Sequence, residues 1–264
     1  MITLTSDFGL KDSYVAEMKA VILSINPSAT IVDVTHCVEK FDIREGAFML
    51  ASAAPYFPNS TVHLEVVDPG VGTQRRAIVI ETKKSFFVGP DNGVLILAAQ
   101  AQEILHVYEI ENSRFKLPRV SSTFQGRDVF APAAAYLDLG EKAALFGPEI
   151  TDPIRPSFTT VEEKGNTIVG EIISIDSFGN IITNIRAENL PNIQIKTLEV
   201  KFPKTELTLP FLQTYAQLKP QQPLVLIGSH GFLEIALNRG SAGEKYHVVK
   251  GDRVIFSIAE QLRF

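Results

Sequence analysis

Three loops in this chain concentrate residues that can do chemistry, and each sits beside an apolar run that can anchor it. The first is Thr5-Ser6-Asp7-Phe8-Gly9, the second Val67-Asp68-Pro69-Gly70-Val71-Gly72-Thr73-Gln74-Arg75, and the third Thr123-Phe124-Gln125-Gly126-Arg127-Asp128. An aspartate at the end of a strand can accept both hydroxyls of a vicinal diol, as acidic residues bind ribose; it can equally cap a helix or form a turn, and Asp7 is open to either reading. Asp68 and Arg75 lie seven positions apart across a Gly-rich turn. They can pair, either to close the loop or to build a polar site, and the glycines let backbone amides approach a ligand closely.

Other chemistries find no support in the residues. The second loop has neither G-x-x-x-x-G-K-[ST] nor G-x-G-x-x-G, which excludes a P-loop and a dinucleotide fingerprint. Asp7-Phe8-Gly9 matches the kinase metal-binding triplet in letters only, since no Gly-rich loop or catalytic-loop signature surrounds it. Five His are scattered without an H-x-x-x-H pair and Cys37 is the single cysteine, so no metal site and no internal disulfide is expected. Two further loops, Asp176-Ser177-Phe178-Gly179-Asn180 and Gly228-Ser229-His230-Gly231, are built from turn formers, and each by itself reads as a plain turn.

The elements that must position these loops change character along the chain. Ile2–Thr5 and Thr30–Val34 read as strands. Between them Val15, Met18, Val21, Ile22 and Ile25 repeat at helical spacing from Tyr14 to Ile25, where Asn26-Pro27 stops the helix. Asp42-Ile43-Arg44-Glu45 has the form of a capping box opening a second helix toward Pro55. Thr61–Val67, Ala77–Glu81, Phe86–Val88 and Val94–Leu97 read as strands, and a last helix follows Asp128 with Pro132 in its first turns and Gly140 after its end. Strand–helix alternation predicts a Rossmann-like three-layer α/β domain with a mainly parallel sheet over residues 1–150.

Pro148, Pro153 and Pro156 then form a stiff connector, and residues 151–264 turn to short β-type runs: Thr167–Ile175, Ile181–Ile185, Ile193–Phe202, Thr205–Leu209, Leu224–Ile227, Phe232–Leu237, Tyr246–Val249 and Arg253–Ile258. That texture predicts a small antiparallel β-barrel domain. The 264 residues are 45% hydrophobic, and 25 Lys and Arg against 30 Asp and Glu leave a net charge of −5. No basic run exceeds two residues, so nucleic acid is not an expected partner. No apolar run nears membrane-spanning length and the opening MITLTSDFG lacks a basic n-region, which together predict a cytoplasmic protein without a membrane partner.

Taken in order, L-T-S-D-F-G, D-V-T-H at Asp33–His36, V-V-D-P-G-V-G-T-x-R-R, P-D-N-G at Pro90–Gly93, T-F-x-G-R-D, D-S-F-G-N and G-S-H-G-x-L-E-I-A-L-N resemble one family along essentially the whole chain. It is the S-adenosylmethionine hydroxide adenosyltransferases, relatives of the fluorinase and chlorinase enzymes. The resemblance implies hydrolysis of S-adenosylmethionine to adenosine and methionine by water or hydroxide attack on C5′, with no cofactor, in a homotrimer whose sites lie between subunits. It implies that Asp7 binds the ribose hydroxyls and that Phe41 and Phe124 pack near the ribose and the reacting carbon. Asp176 and Ser229, with His230 and Tyr14, would hold the methionine amine and carboxylate. Tyr215 would stack on adenine and Asn180 would hydrogen-bond its edge, with Phe178 and the backbone at Asn238 and Arg239 completing the pocket.

The same resemblance assigns the water-orienting set to Asp68, Arg75 and position 125. Here the sequence departs from the family's T-F-H-G-R-D: Gln125 stands in place of the His. A Gln amide can donate and accept but cannot titrate. Two alternatives follow, a binder of S-adenosylmethionine or adenosine with weak or no turnover, and a halogenase. The latter is disfavoured because a carboxylate at Asp68 would repel halide.

Overall fold

A computed structural model describes residues 1–119, 121–191 and 195–258. By its internal contacts the chain divides into two units, Met1–Pro156 and Ser157–Phe264.

The first unit is a mixed α/β sandwich. Its strands are β1 (Ile2–Ser6), β2 (Ile31–Thr35), β3 (Val62–Val66), β4 (Ala77–Thr82), β5 (Phe86–Pro90) and β6 (Ile104–Glu109), arranged β2-β1-β3-β5-β4-β6. The first four strands of that order run parallel, whereas β4 is antiparallel to both β5 and β6. The sheet is therefore less uniformly parallel than its strand–helix alternation implies. The cause is local: Thr82–Ser85 folds into a tight turn, with the Thr82 hydroxyl donating to Ser85 O, and returns the chain beside its own strand.

Alternate residues of β3 face opposite layers. Val62, Leu64 and Val66 enter an apolar cluster with Met18 and Ile22 of α1 (Tyr14–Ile25), while His63 and Glu65 are buried on the other side. There, α2 (Ile43–Ala53) packs with α3 (Ile96–Gln100). Helix α2 starts where the capping pattern places it, with Glu45 N–H donating to Asp42 Oδ1 at 3.0 Å. The helix after Asp128, α4 (Ala131–Asp138), continues from a wide π-type turn at Gly126–Phe130 and packs on α1.

One apolar run changes type. Val94–Leu97, expected as a strand, lies at the entrance of α3: Asn92 Oδ1 accepts from Val94 N–H, and Ala98, Ala99 and Gln100 continue with good helix formers. A short apolar run does not by itself distinguish strand from helix.

The second unit is a near-closed antiparallel barrel. Its strands are β7 (Glu162–Lys164), β8 (Thr167–Ile175), β9 (Ile181–Arg186), β10 (Thr197–Lys201), β11 (Glu206–Pro210), β12 (Pro223–Ile227), β13 (Phe232–Leu237) and β14 (Arg253–Ile258). They follow the order β11-β10-β14-β8-β9-β13-β12, with β7 on β8, and a bridge between Phe211 and Val225 brings the two ends together. Ile172, Ile181, Ile185, Leu198, Val200, Leu233, Ile235 and Val254 fill the interior. The expected strand at Ile193–Phe202 corresponds to β10, its residues 193 and 194 lying outside the described residues.

Tyr246–Val249 is not a strand. The chain there forms α5 (Ala242–Tyr246), because Ser241 Oγ caps the Glu244 N–H at 3.1 Å and His247 ends the helix in the left-handed conformation at φ 51°. Ser241-x-x-Glu244 is a capping-box spacing that outweighs the β-type composition of Tyr246–Val249.

Candidate functional site

Parallel strands β1 and β3 deliver Asp7 and Asp68 to the same edge of the sheet, the carboxyl edge where α/β proteins hold ligands. Asp7 is 5% exposed. Its Oδ2 accepts from Phe41 N–H at 2.9 Å, and Lys40 Nζ donates to its backbone carbonyl. Phe41 adopts φ 67°, unusual for a residue with a Cβ, and leaves its ring 66% exposed. The segment Lys40–Phe41 is thus tied to Asp7 while an aromatic face is presented outward.

A polar relay lies behind Asp7. Ser6 Oγ and His36 Nδ1 are 2.8 Å apart, His36 Nε2 sits 3.1 Å from Asp33 Oδ1, and Lys19 Nζ donates to Asp33 Oδ2 at 2.6 Å. Burial works against the Asp33 charge, but the hydrogen bonds from Lys19 and His36 outweigh it and hold the carboxyl below its ordinary range. The D-V-T-H motif therefore braces the Asp7 loop. This role was not legible in the motif itself.

The Asp68–Arg75 loop closes on itself. Arg75 Nε donates to Asp68 Oδ1 at 3.0 Å and to Oδ2 at 3.1 Å, and Nη2 donates to Oδ2 as well. The two side chains are only 8% and 5% exposed. The same Nη2 donates to Gln125 Oε1 at 2.6 Å, and the guanidinium stacks over the Phe130 ring at 5.2 Å. Gly72, at φ +80°, permits the tight turn, and a Cβ there would meet Ser122 O at 2.7 Å. Asp68, Arg75 and Gln125 form one hydrogen-bonded group.

Beside it stands an aromatic trio. The Tyr14 and Phe124 rings meet edge to face at 5.0 Å, Phe8 contacts each at 5.6 and 5.8 Å, and Arg127 lies over Phe124 at 5.0 Å. Phe8 follows Asp7 and Phe124 precedes Gln125, so the trio joins the two polar groups through the chain. Arg127 Nε in turn donates to buried Asp128 at 2.6 Å and Nη1 to Glu17 at 2.8 Å, locking the third loop to α1. Burial opposes the Asp128 charge, yet hydrogen bonds from Arg127 and Ser121 N–H hold its pKa below the usual value. The P-D-N-G motif is architectural: Asp91 takes Arg76 Nε and Ile154 N–H, each at 2.8 Å, and Asn92 Nδ2 donates to Val67 O at 2.9 Å.

The second unit carries the remaining predicted residues. Asp176 Oδ1 accepts from the backbone N–H of Phe178 and Asn180, and its Oδ2 accepts from Asn180 Nδ2, all at 2.9 Å. One N–H of the Asn180 amide is thereby used, and its Oδ1 accepts none of these bonds. Phe178 is 79% exposed at the tip of this turn. Ser229 and His230 are exposed in the turn between β12 and β13, closed by Gly231 N–H to Gly228 O at 2.9 Å. The Asn238 and Arg239 carbonyls already accept from Gln221 N–H and Nε2, at 2.7 and 2.8 Å.

Tyr215 donates its phenol to Glu234 Oε1 at 2.6 Å. Burial, then the Glu234 hydrogen bond, pushes the phenol pKa above its ordinary value, and burial raises that of Glu234 too. Glu234 is a functional candidate that the pattern of residue types does not single out; a charged residue amid Phe232-Leu233-x-Ile235-Ala236-Leu237 is the signal that could have found it.

Outside these groups, Glu39, Asp42 and Glu45 bring carboxylate oxygens within 4.8 Å of one another at the start of α2, where acidic side chains complement the helix dipole. Among the described residues, no helix is long and apolar enough to cross a membrane.

Comparison with known proteins bears on the whole chain. Residues 2–147 match the family described as SAM hydroxide adenosyltransferase N-terminal domain, and residues 170–255 match the corresponding C-terminal domain. The chain is 36% identical over 256 residues to a protein of Salinispora tropica named (R)-S-adenosyl-L-methionine hydrolase, with 96% of each chain covered. It is 37% identical to a Thermus thermophilus protein of the same name, covering 93% of this chain and 95% of that one. A fluorinase of Actinopolyspora mzabensis is more distant at 28%, with 95% of each covered. Among solved structures, an uncharacterized conserved protein from Thermotoga maritima superposes with a TM-score of 0.86 at 38% identity, covering 97% of this chain and 100% of the other.

Proposed function

Because the chain belongs to the SAM hydroxide adenosyltransferase family, we propose that it hydrolyses S-adenosyl-L-methionine to adenosine and L-methionine. The observation that carries this reading is the group formed by Asp68, Arg75 and Gln125. Water attacks C5′, a C–O bond forms, and the C5′–S bond breaks with its electron pair going to sulfur. The water proton passes to Asp68 and thence to solvent. A sulfonium is already a good leaving group, so alignment and exclusion of bulk water supply most of the acceleration.

The hydrogen bonds within the group support different parts for Asp68 and Gln125. Arg75 has only donors, so the Gln125 atom facing it is the carbonyl Oε1, and Nε2 is left to donate to the attacking water. Gln125 positions water and Asp68 is the proton acceptor. In this reading Asp7 takes the ribose diol, Phe41 and Phe124 wall the reacting carbon with Tyr14 toward the methionine end, Tyr215 stacks on adenine, and Asn180 Oδ1 accepts from its exocyclic amine. Asp176 braces Asn180, with Phe178, Ser229, His230 and the Asn238–Arg239 backbone at the rim and the methionine end.

These contacts fall into two sets, one in each unit. On the ground of the family resemblance, we extend the proposal to a cytoplasmic homotrimer in which the first-unit set of one subunit meets the second-unit set of its neighbour. Light scattering should give about three chains per particle; a stable monomer that still turns over substrate would sink the shared site.

A second reading, binding without turnover, is favoured by one feature: Gln125 cannot accept a proton. The deciding experiment incubates the protein with each sulfonium epimer of S-adenosylmethionine, the (R) epimer first because the relatives are named for it, and follows adenosine and methionine by chromatography with mass detection. Release of both by the unaltered chain supports hydrolysis. Binding with release only after Gln125→His would establish the second reading.

A further inference from the structure

Glu234 is a buried acid in β13, flanked in register by Leu226 of β12 and Ile182 of β9. It shares its face of the strand with Ala236, which packs with Leu224 and Leu226 under Leu212 and Leu218. A carboxyl in such surroundings is costly unless it is used. Oε1 accepts the Tyr215 phenol at 2.6 Å, pinning the short 3₁₀ turn Tyr215–Gln217 onto the barrel. Oε2 lies where a Cβ on residue 228 would come within 2.5 Å, so Gly228 leaves room for it at the base of the turn that carries Ser229 and His230.

We propose that Glu234 is a positioning residue for substrate: by holding the Tyr215 hydroxyl it sets the plane of the ring on which the purine stacks. The inference rests on the reading that Tyr215 stacks on adenine. A tyrosine tethered at its hydroxyl keeps both ring faces in one orientation before the ligand arrives, which removes an ordering cost from binding. The effect belongs to recognition of the nucleoside, so it should fall on KM and not on kcat.

The test measures adenosine affinity by calorimetry, KM and kcat for S-adenosylmethionine, and melting temperature for Glu234→Gln, Glu234→Met, Tyr215→Phe, Tyr215→Ala and the Glu234→Met/Tyr215→Phe double variant. Glu234→Met should weaken adenosine binding by about 3- to 10-fold, the range of one hydrogen bond, with the kinetic loss in KM. Glu234→Gln, which still offers an acceptor oxygen, should restore most of it. Tyr215→Phe keeps the ring and should weaken binding similarly, and the double variant should be no worse than either single one, since both remove the same tether. Additive losses, or a lowered melting temperature with adenosine affinity intact, would overturn the proposal and leave Glu234 a structural tie. Unchanged affinity in Tyr215→Ala would instead remove the stacking reading beneath it. A loss in Tyr215→Ala with none in Glu234→Met or Tyr215→Phe would refute the tether alone.

Discussion

Gln125 Oε1 accepts a 2.6 Å hydrogen bond from Arg75 Nη2, the same nitrogen that donates to Asp68. Gln125 thus fills a fixed place in a polar group, and its Nε2 remains available as a donor. Gln125→Leu removes that donor and leaves Arg75 one acceptor short. It should lower kcat about 10- to 100-fold, in keeping with ~1.5–3 kcal/mol for a hydrogen bond involving a charged group, and should leave the shape of the pH–rate profile unchanged. Gln125→His should add a limb near pH 6–7, where an imidazole titrates. Identical profiles for the two would show that a titrating group at position 125 does not enter the rate.

If Asp68 accepts the proton, Asp68→Asn should reduce kcat by about 10²–10⁴, the usual worth of a positioned base. The Asn side chain keeps one oxygen for Arg75 but turns the other into an NH2 and removes the counter-charge, so the melting temperature should fall, though less than in Asp68→Ala. Asp68→Ala has a different consequence: it leaves a guanidinium 8% exposed with its main partner gone, and breaking a buried pair in this way costs about 3–5 kcal/mol. Comparing the two by urea unfolding alongside single-turnover rates separates chemistry from structure. Near-native turnover in Asp68→Asn would end its assignment as the base.

If Asp7 takes the ribose diol, Asp7→Ala should weaken adenosine binding. The structure adds a cost, because Asp7 Oδ2 also accepts the Phe41 N–H and helps hold that residue at φ 67°. Adenosine affinity should fall by about 1.5–3 kcal/mol, as for other hydrogen bonds to a charged group, and stability by about 1 kcal/mol for the amide left without its acceptor. Calorimetry and denaturant unfolding read the two effects separately. Unchanged affinity would take Asp7 out of the ribose site.

Local pattern carried far in this chain, and its limits are physical. Tyr14–Ile25, Thr167–Ile175, Phe232–Leu237 and Arg253–Ile258 are bounded by breakers or alternate cleanly, and these elements have the limits read from sequence. The β6 strand is not legible in the sequence because Ile104-Leu105-His106-Val107-Tyr108-Glu109 is an edge strand, half exposed and without a strict period. Pairing within a loop, as for Asp68 and Arg75, is visible in spacing. Pairing across the fold is not: Arg75 and Gln125 are 50 positions apart, and Tyr215 reaches Glu234 only once β13 is in the barrel. Such contacts depend on strand order, which residue types alone do not fix.

His63 and Glu65 sit two positions apart on the same face of β3, and they pull stability in opposite directions as pH changes. His63 is stacked 4.9 Å from Phe87 with Nδ1 2.8 Å from the Thr3 hydroxyl, and burial pushes its pKa from 6.5 to about 4. Its folded-state value lies below the unfolded one, so its contribution is present above about pH 6.5 and is lost as pH falls toward 4. That loss is about 3 kcal/mol. Glu65 is buried with neither carboxyl oxygen hydrogen-bonded, and burial raises its pKa well above the ordinary 4.5. Its contribution is therefore full in acid and is lost as pH rises through the shifted value. Replacing His63 by Phe keeps an aromatic between Phe57 and Phe87 but removes the titration. The Thr3 hydroxyl then loses its partner, which lowers stability by about 1 kcal/mol at every pH without tilting the curve. Urea midpoints measured from pH 7 to 4 should fall less steeply for His63→Phe than for the unaltered chain, with the remaining slope set by the other carboxyls. Parallel curves would show that His63 is not the group that must be charged when this fold opens in acid.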